Sequence, residues 1–184
     1  MGPLARLNTA TFIDTPLAEA ERKEFRKVTA DKTNNITMAY HWARMVELLH
    51  AIERIQMLLH DKDLQGTDLV VKGQRREVGI GLLEAPRGTL FHHYKVNKND
   101  LVTSANLIVS TTHNNEPMNR AVAKVAQEHL QGVEITEGLL NHVEVAIRAY
   151  DPCLSCATHA LGQMPLEMIL MDCQGQILDK KSCG

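Results

Sequence analysis

Two cysteines and a histidine in the sequence DPCLSCATH, residues 151–159, have side chains suited to binding a metal. Cys153 and Cys156 are separated by two residues, and His159 follows three positions later. Thiolates at this spacing reach one ion when the turn between them is tight, and they select soft or borderline metals such as zinc, nickel, copper or iron–sulfur clusters. The spacing therefore predicts a metal corner, and the alternative is an inert pair of small buried thiols.

All four cysteines lie in the C-terminal part of the chain, which is the distribution of a metal or redox site rather than of a secreted disulfide framework. A zinc site made by Cys153, Cys156, Cys173 and Cys183, or with His159 in place of one of them, is a second interpretation. No second CxxC pair occurs at the spacing of a zinc ribbon. A thioredoxin-like pair is less favoured, because it should begin a helix, whereas this pair follows one.

The elements expected to position this corner give an α+β fold. A helix capped by Thr136 should end before Pro152 and present the cysteine turn. The tail, PLEMILMDCQGQILDKK, has two short apolar segments around Gln174 and Gly175 and predicts a β-hairpin over residues 166–180. Five further elements are predicted: helices over 14–27, over 38–59 and from about Pro117 to Gly132, and strands over 88–96 and 102–111 joined by a turn at Asn97–Asp100.

The long helix over residues 38–59 has an unusually broad apolar surface. Its apolar residues recur at spacings of three and four, at Trp42, Met45, Leu49, Ile52 and Ile55. Such a surface predicts a helix buried among other helices. The rest of the chain offers few partners for it, so we expect part of the surface to be left as an exposed patch.

Composition excludes several classes of function. The chain has 184 residues, 44% of them apolar and 23% charged, with a formal net charge of −2. This balance gives no reason to expect a nucleic-acid or membrane-surface partner. No apolar run approaches the roughly 20 residues of a membrane span, and the first residues lack the pattern of a signal peptide. We therefore expect a cytoplasmic protein.

Four segments together resemble one known family. DPCLSCATH has the form of the C-terminal nickel-site motif, DPCxxCxxH, of the large subunit of nickel–iron hydrogenases. GPLARLN at residues 2–8, EAPRGTLFHHY at 84–94 and NLIVSTTHNNEPMNRAV at 106–122 look like the same family in the same order. They are most similar to its bidirectional, NAD-reducing branch. The resemblance implies the helical-bundle portion of such a subunit, with a small antiparallel sheet and a C-terminal β-hairpin extension.

The resemblance also implies roles for individual residues. Cys153 would be a terminal thiolate ligand of nickel, and Cys156 would bridge nickel to an iron that carries cyanide and carbon monoxide. His159 would be the last residue of the mature protein and would bind magnesium. Arg87 would hold its guanidinium over the open side of the metal pair; the alternative for Arg87 is a surface or ion-paired role. Either Arg87 or the thiolate of Cys153 could serve as the base when hydrogen is split.

Two hydroxyls are candidates for a contact with the metal's diatomic ligands. By the resemblance, Ser110 or Thr111 would donate a hydrogen bond to cyanide. The alternative is a hydroxyl that bonds to backbone. A partner iron–sulfur small subunit would carry the electrons towards NAD. The chain itself has no GxGxxG fingerprint, so no cofactor-binding residues for NAD are expected in it.

The sequence departs from the family in two places. The family takes two more cysteines from an RxCGxC motif, which is absent here, so we expect residues 1–159 to be the C-terminal portion of a large subunit, inactive alone. Residues 160–184 resemble an extension that an endopeptidase removes between His159 and Ala160 after nickel-insertion proteins have acted. The alternatives are a permanent hairpin that is never processed, and a non-catalytic module: a client of maturation proteins or a zinc-stabilised binding domain.

Overall fold

A computed structural model describes residues 2–130, 132–153 and 166–183. They divide into two compact units, an N-terminal unit of Met1–Ser110 and a C-terminal unit of Thr111–Gly184. The mixture of helices and small antiparallel sheets confirms the predicted α+β class. In chain order the elements are α1 Gly2–Thr9, α2 Pro16–Lys27, α3 Ala39–Leu58, a 3₁₀ turn Lys62–Gln65, β1 Val78–Ala85, β2 Gly88–Val96, β3 Val102–Ile108, α4 Ser110–His129, α5 Glu137–Ala149, β4 Leu166–Met171 and β5 Ile177–Cys183.

In the N-terminal unit, α1 and α2 both pack against α3. The rings of Phe25 and Trp42 meet edge to face with centroids 5.1 Å apart, and the indole N–H of Trp42 donates to Glu21. Phe25 is completely buried. Burial of such large apolar side chains is the main favourable term in folding. The helix α2 begins at Pro16, two residues after the start of the predicted range 14–27, and the hydroxyl of Thr15 contacts His50 and does not cap α2.

The helix α3 exists at its predicted place and leaves an exposed apolar patch, as predicted, but its fully buried residues are not those of the predicted stripe. Its buried residues are Tyr40, Ala43 and Val46. Two residues of the predicted stripe, Met45 and Ile52, are 60% and 55% exposed. Because apolar residues cover α3 on several sides, the spacing alone could not select the face on which the small Ala43 lets α1 and α2 approach.

The three-stranded sheet has the order β1–β2–β3, and both pairs of strands are antiparallel. The turn between β2 and β3 lies at Asn97–Asp100, as predicted, and the amide of Asp100 donates to the carbonyl of Asn97. No bounds were predicted for the strand β1. Its side chains are almost all exposed in the described chain.

Two predicted boundaries after this sheet are wrong. The strand predicted to reach residue 111 ends at Ile108, and the helix predicted from about Pro117 begins at Ser110. Pro117 therefore lies inside α4 and removes one backbone donor there. The hydroxyl of Ser110 donates to the carbonyl of Gly88 at 2.9 Å. This contact joins residues far apart in sequence, so the local pattern could not reveal it.

In the C-terminal unit, α5 begins as predicted, with the hydroxyl of Thr136 accepting a hydrogen bond from the amide of Leu139 at 3.2 Å. The predicted tail hairpin is confirmed, because β4 and β5 pair antiparallel around a turn at Gly175, whose φ is +84°. No helix among residues 2–130, 132–153 and 166–183 is long and apolar enough to span a membrane.

Candidate functional site

Arg87 lies in a two-residue turn between β1 and β2. Ala85 pairs with Gly88 in the sheet register, so Pro86 and Arg87 form the loop of this hairpin. We call residues 85–88 the arginine turn. Gly88 has a φ of +143°, a backbone conformation that residues with a side chain rarely adopt, which explains glycine at this position. Arg87 itself is partly buried.

The guanidinium of Arg6, on α1, holds the arginine turn. Its Nη1 donates to the carbonyl of Ala85 at 3.0 Å, and its Nη2 donates to the carbonyl of Pro86 at 2.9 Å. The same group binds both carboxylate oxygens of Glu47, at 2.6 and 2.8 Å, and one oxygen of Glu84 at 2.8 Å. Planar, two-pronged contacts of this kind fix orientation as well as adding energy. The two carbonyls immediately before Arg87 are therefore held in place.

The charge balance at Arg6 favours this arrangement. Its side chain is 27% exposed and faces two carboxylates. The hydrogen bond to Glu47 raises the pKa of Arg6 above its ordinary value, against the opposing effect of burial, and Glu84 adds to the increase. The guanidinium stays charged, so its five hydrogen bonds remain charge-assisted.

The start of α1 also touches the arginine turn. Gly2 has a φ of +68°, and a Cβ placed on it would lie 2.8 Å from the carbonyl oxygen of Arg87. On the other side, a Cβ on Gly88 would lie 3.4 Å from the Cβ of Ser110. Residues from three sequence motifs thus meet at one turn. They are Gly2 at the start of GPLARLN, Arg87 and Gly88 in EAPRG, and Ser110, the first residue of α4.

The structure therefore brings Ser110 to the arginine turn. Its buried hydroxyl donates to the carbonyl of Gly88, and Thr111 follows in the first turn of α4, partly buried. Ser110 thus makes the backbone contact given above as the alternative, and the contact to cyanide expected of Ser110 or Thr111 stays a prediction. Arg6 and Gly2 were not singled out from the sequence. Both belong to the motif GPLARLN, and the backbone carbonyls that Arg6 binds lie about 80 residues further along the chain.

Cys153 follows the end of α5 after a sharp change in chain direction. The helix ends at Ala149, and Asp151 takes a φ of +51°, a left-handed conformation that Asp adopts more readily than most residues. The hydroxyl of Tyr150 donates to the carbonyl of Pro117 at 3.2 Å and ties this end of α5 to α4. We call residues 150–153 the cysteine corner. The thiol of Cys153 is partly buried and forms no disulfide.

The other predicted residues of this site, Cys156, His159 and Ala160, lie outside the described residues. Within residues 2–130, 132–153 and 166–183, no three His, Cys, Asp or Glu side chains lie close enough to hold a metal together. Cys173 is exposed in the turn of the tail hairpin. The donor type at Cys153, a partly buried thiol directly after a helix end, fits a soft or borderline metal.

Comparisons with known proteins give a consistent result. A family model described as nickel-dependent hydrogenase matches residues 1–159. The beta subunit of the NAD-reducing hydrogenase HoxS from Cupriavidus necator is 50% identical over 99% of this chain. An F420-non-reducing hydrogenase protein of Archaeoglobus profundus, named as an iron–sulfur subunit, is 46% identical over 97% of this chain.

A solved structure extends the similarity to three dimensions. The crystal structure of an NAD⁺-reducing nickel–iron hydrogenase in its H₂-reduced state matches 86% of this chain with a TM-score of 0.79 and 55% identity. The chain spans 38% and 37% of the lengths of the two curated relatives and 35% of that solved chain. The similarity therefore covers nearly all of these 184 residues but less than two fifths of each relative.

Proposed function

Because this chain belongs to the nickel-dependent hydrogenase family, we propose that it forms part of the catalytic large subunit of a nickel–iron hydrogenase. The reaction is the reversible oxidation of hydrogen, with electrons passed through an iron–sulfur small subunit towards NAD. The observation that carries this proposal is the match over residues 1–159, which includes both the arginine turn and the cysteine corner. The 50% identity to a NAD-reducing enzyme supports the choice of acceptor.

The metal ligands in this chain are Cys153 and Cys156 for a nickel–iron centre with cyanide and carbon monoxide, and His159 for magnesium. When bound, the metal pair supplies the Lewis acidity that polarises hydrogen for heterolytic splitting. Arg87 contributes a planar guanidinium on a turn whose preceding carbonyls are fixed by Arg6. The base that takes the proton would be the Sγ of Cys153 or, in its neutral guanidine form, Arg87. Thr111 would donate a hydrogen bond to a diatomic ligand, because the one hydroxyl proton of Ser110 goes to the carbonyl of Gly88.

Two thiolates are half of the set that the family uses. The sequence has no RxCGxC motif, so the remaining ligands come from polypeptide beyond these 184 residues. The exposed apolar side of α3, which includes Met45 and Ile52, fits the same idea, because further helices of a larger bundle would cover it. The chain alone is inactive in this proposal.

Residues 160–184 are a pro-extension in this proposal, removed in the cytoplasm by an endopeptidase after nickel-insertion proteins have loaded the site. The family match ends at residue 159, which supports a boundary there. In a complete subunit loaded with nickel, cleavage should yield a peptide that begins at Ala160, and little cleavage should occur without nickel. Mass spectrometry of the digest identifies the bond that is cut.

Metal titration of the reduced chain tests the ligand assignment. The double substitution Cys153→Ser and Cys156→Ser should abolish nickel binding, whereas the matched control Cys173→Ser should leave it unchanged, and elemental analysis measures both. Equal loss from Cys173→Ser, with one tightly held zinc per chain, would instead identify a zinc-stabilised interaction module. Hydrogen uptake by the isolated chain with a viologen dye, above a metal-free control, would contradict the need for further ligands.

A further inference from the structure

We propose that the tail hairpin, residues 166–183, binds the rest of the C-terminal unit as a separable peptide ligand, and that it stays bound after the chain is cut ahead of it. This inference rests on the proposed function for one claim, namely that such a cut occurs in the cell. The binding surface, which we call the tail-binding surface, consists of Ile135 and three residues on the buried face of α5: Leu139, Leu140 and Val143.

The apolar part of the contact comes from β4. Successive side chains of a strand point to opposite faces, and the burial of β4 alternates accordingly. Leu166, Met168 and Leu170 are partly buried and pack against the tail-binding surface. Ile169 and Met171 point away and are 41% and 57% exposed. One face of β4 therefore covers a cluster whose own residues are at most 3% exposed.

The polar part of the contact comes from β5 and meets the start of α5. The carboxylate of Asp179 accepts a hydrogen bond from the backbone amide of Ile135 at 2.6 Å. Lys181 forms an ion pair with Glu137, the first residue of α5, at 3.0 Å. Ile135 directly precedes Thr136, the cap of α5, so Asp179 and Lys181 tie the hairpin to the start of that helix.

The hairpin is closed within itself. Its strands pair from Leu166 opposite Cys183 to Met171 opposite Ile177. The carboxylate of Asp172 accepts hydrogen bonds from two amides of the turn, and Lys180 pairs across the strands with Glu167 at 2.8 Å. A lone two-stranded hairpin is marginally stable in water. The free peptide should therefore be largely unfolded and should fold as it binds.

Cutting the complete chain tests the proposal without any metal. A protease recognition sequence replaces residues 160–165, and the cut protein is passed over a size-exclusion column at micromolar concentration. The tail peptide should elute with the larger fragment, and native mass spectrometry should detect a one-to-one complex. A peptide that separates completely at this concentration would overturn the proposal.

Matched peptide variants test the surface itself. A labelled synthetic peptide of residues 166–184 is exchanged into the cut protein and its affinity measured by fluorescence anisotropy. Leu170→Ala should weaken binding on the order of tenfold, since it removes packed apolar area, whereas Ile169→Ala on the outer face should stay within about twofold. Asp179→Asn should weaken binding about fivefold. Equal losses from the two apolar substitutions would refute the assigned face.

The proposed function and this inference can fail separately. If the cysteine substitutions leave nickel binding unchanged but the tail stays bound, the ligand assignment is wrong and the peptide site stands. If nickel binding behaves as expected but the peptide separates, the peptide site is wrong and the metal assignment stands.

Discussion

The arginine turn and the cysteine corner are held by different kinds of interaction. The guanidinium of Arg6 makes five hydrogen bonds at the arginine turn. The hydroxyl of Ser110 donates to the carbonyl of Gly88, and Gly2 lies close to the carbonyl of Arg87. The cysteine corner follows a capped helix whose buried face is covered by a hairpin. In the first region directional hydrogen bonds fix the backbone that precedes Arg87. In the second, apolar packing against the tail hairpin supports the helix that precedes Cys153.

Removal of the Arg6 guanidinium should cause the largest loss in the free energy of unfolding. Arg6→Met leaves the carboxylates of Glu47 and Glu84 without their partner and frees the carbonyls of Ala85 and Pro86. Because the pair is partly exposed, we expect a loss of about 2 kcal/mol in the free energy of unfolding, below the cost for a fully buried pair. Chemical denaturation measures it, and amide exchange should show loss of protection at Gly88.

The matched control for Arg6 is Arg120, whose ion pair with Glu116 is exposed on both sides. Arg120→Met should change the free energy of unfolding by less than about 0.5 kcal/mol. Equal losses from the two substitutions would show that the contacts of Arg6 at the arginine turn stabilise the protein no more than an exposed ion pair does.

Gly2→Ala should have the next largest effect. The new Cβ would meet the carbonyl oxygen of Arg87 and would also have to adopt a φ of +68°. Gly132 has nearly the same φ, +71°, and among the described residues no atom lies within 4 Å of the place that a Cβ would take there. Gly132→Ala therefore measures the backbone strain alone, about 1 kcal/mol, and Gly2→Ala should cost more by thermal unfolding. Equal costs would mean that the close approach to Arg87 is unimportant.

Thr136→Ala tests the support of the cysteine corner. The hydroxyl of Thr136 accepts a hydrogen bond from Leu139, and its loss should cost about 1 kcal/mol in the stability of the C-terminal unit. Thr136→Ser keeps the oxygen and should recover most of this loss. Urea denaturation followed by helical circular dichroism measures both, and a Thr136→Ser variant as unstable as Thr136→Ala would contradict the capping role.

Acid should loosen the tail hairpin by a smaller amount. Hydrogen bonds from the amides of Ile135 and Lys180 hold the pKa of Asp179 below its ordinary value of 3.8. A lowered pKa in the folded state means that this contact stabilises the bound hairpin fully above that ordinary value and is lost as the pH falls through the lower one. The bound fraction of the cut tail, measured by anisotropy, should therefore fall as the pH drops below about 4.

The control for this acid effect is Asp179→Asn, which has no carboxylate to protonate. The wild-type tail should lose more affinity than the variant over the same interval. Parallel curves would exclude Asp179 as the source.

Elements with local signals could be predicted from the sequence. The cap at Thr136 lies three residues from its partner Leu139, and the hairpin turn needs only Gly175 and its neighbours. The contacts of the arginine turn could not be predicted in this way. Arg6 is 41 residues from Glu47 and 80 from Pro86, and Ser110 is 22 from Gly88.

The buried face of α3 was missed for a related reason. Apolar residues on several sides of the helix leave periodicity with no unique choice, and tertiary packing against α1 and α2 decides the matter. The strand β1 was given no bounds because the glycines between Val78, Ile80 and Leu82 weaken the signal of a strand. For the cysteine corner, residue type and spacing identified the thiols as candidate metal ligands, and the family resemblance implied their roles.

The distance along the chain between Arg6 and its partners also bears on how the N-terminal unit folds. The hairpin of β1 and β2 closes across two residues and can form locally, whereas the Arg6 contacts close a loop of 78 to 80 residues. Loop-closure entropy makes such long-range contacts late events. We therefore expect the arginine turn to reach its final stiffness near the end of folding, so that weakening the Arg6 contacts speeds unfolding more than it slows refolding.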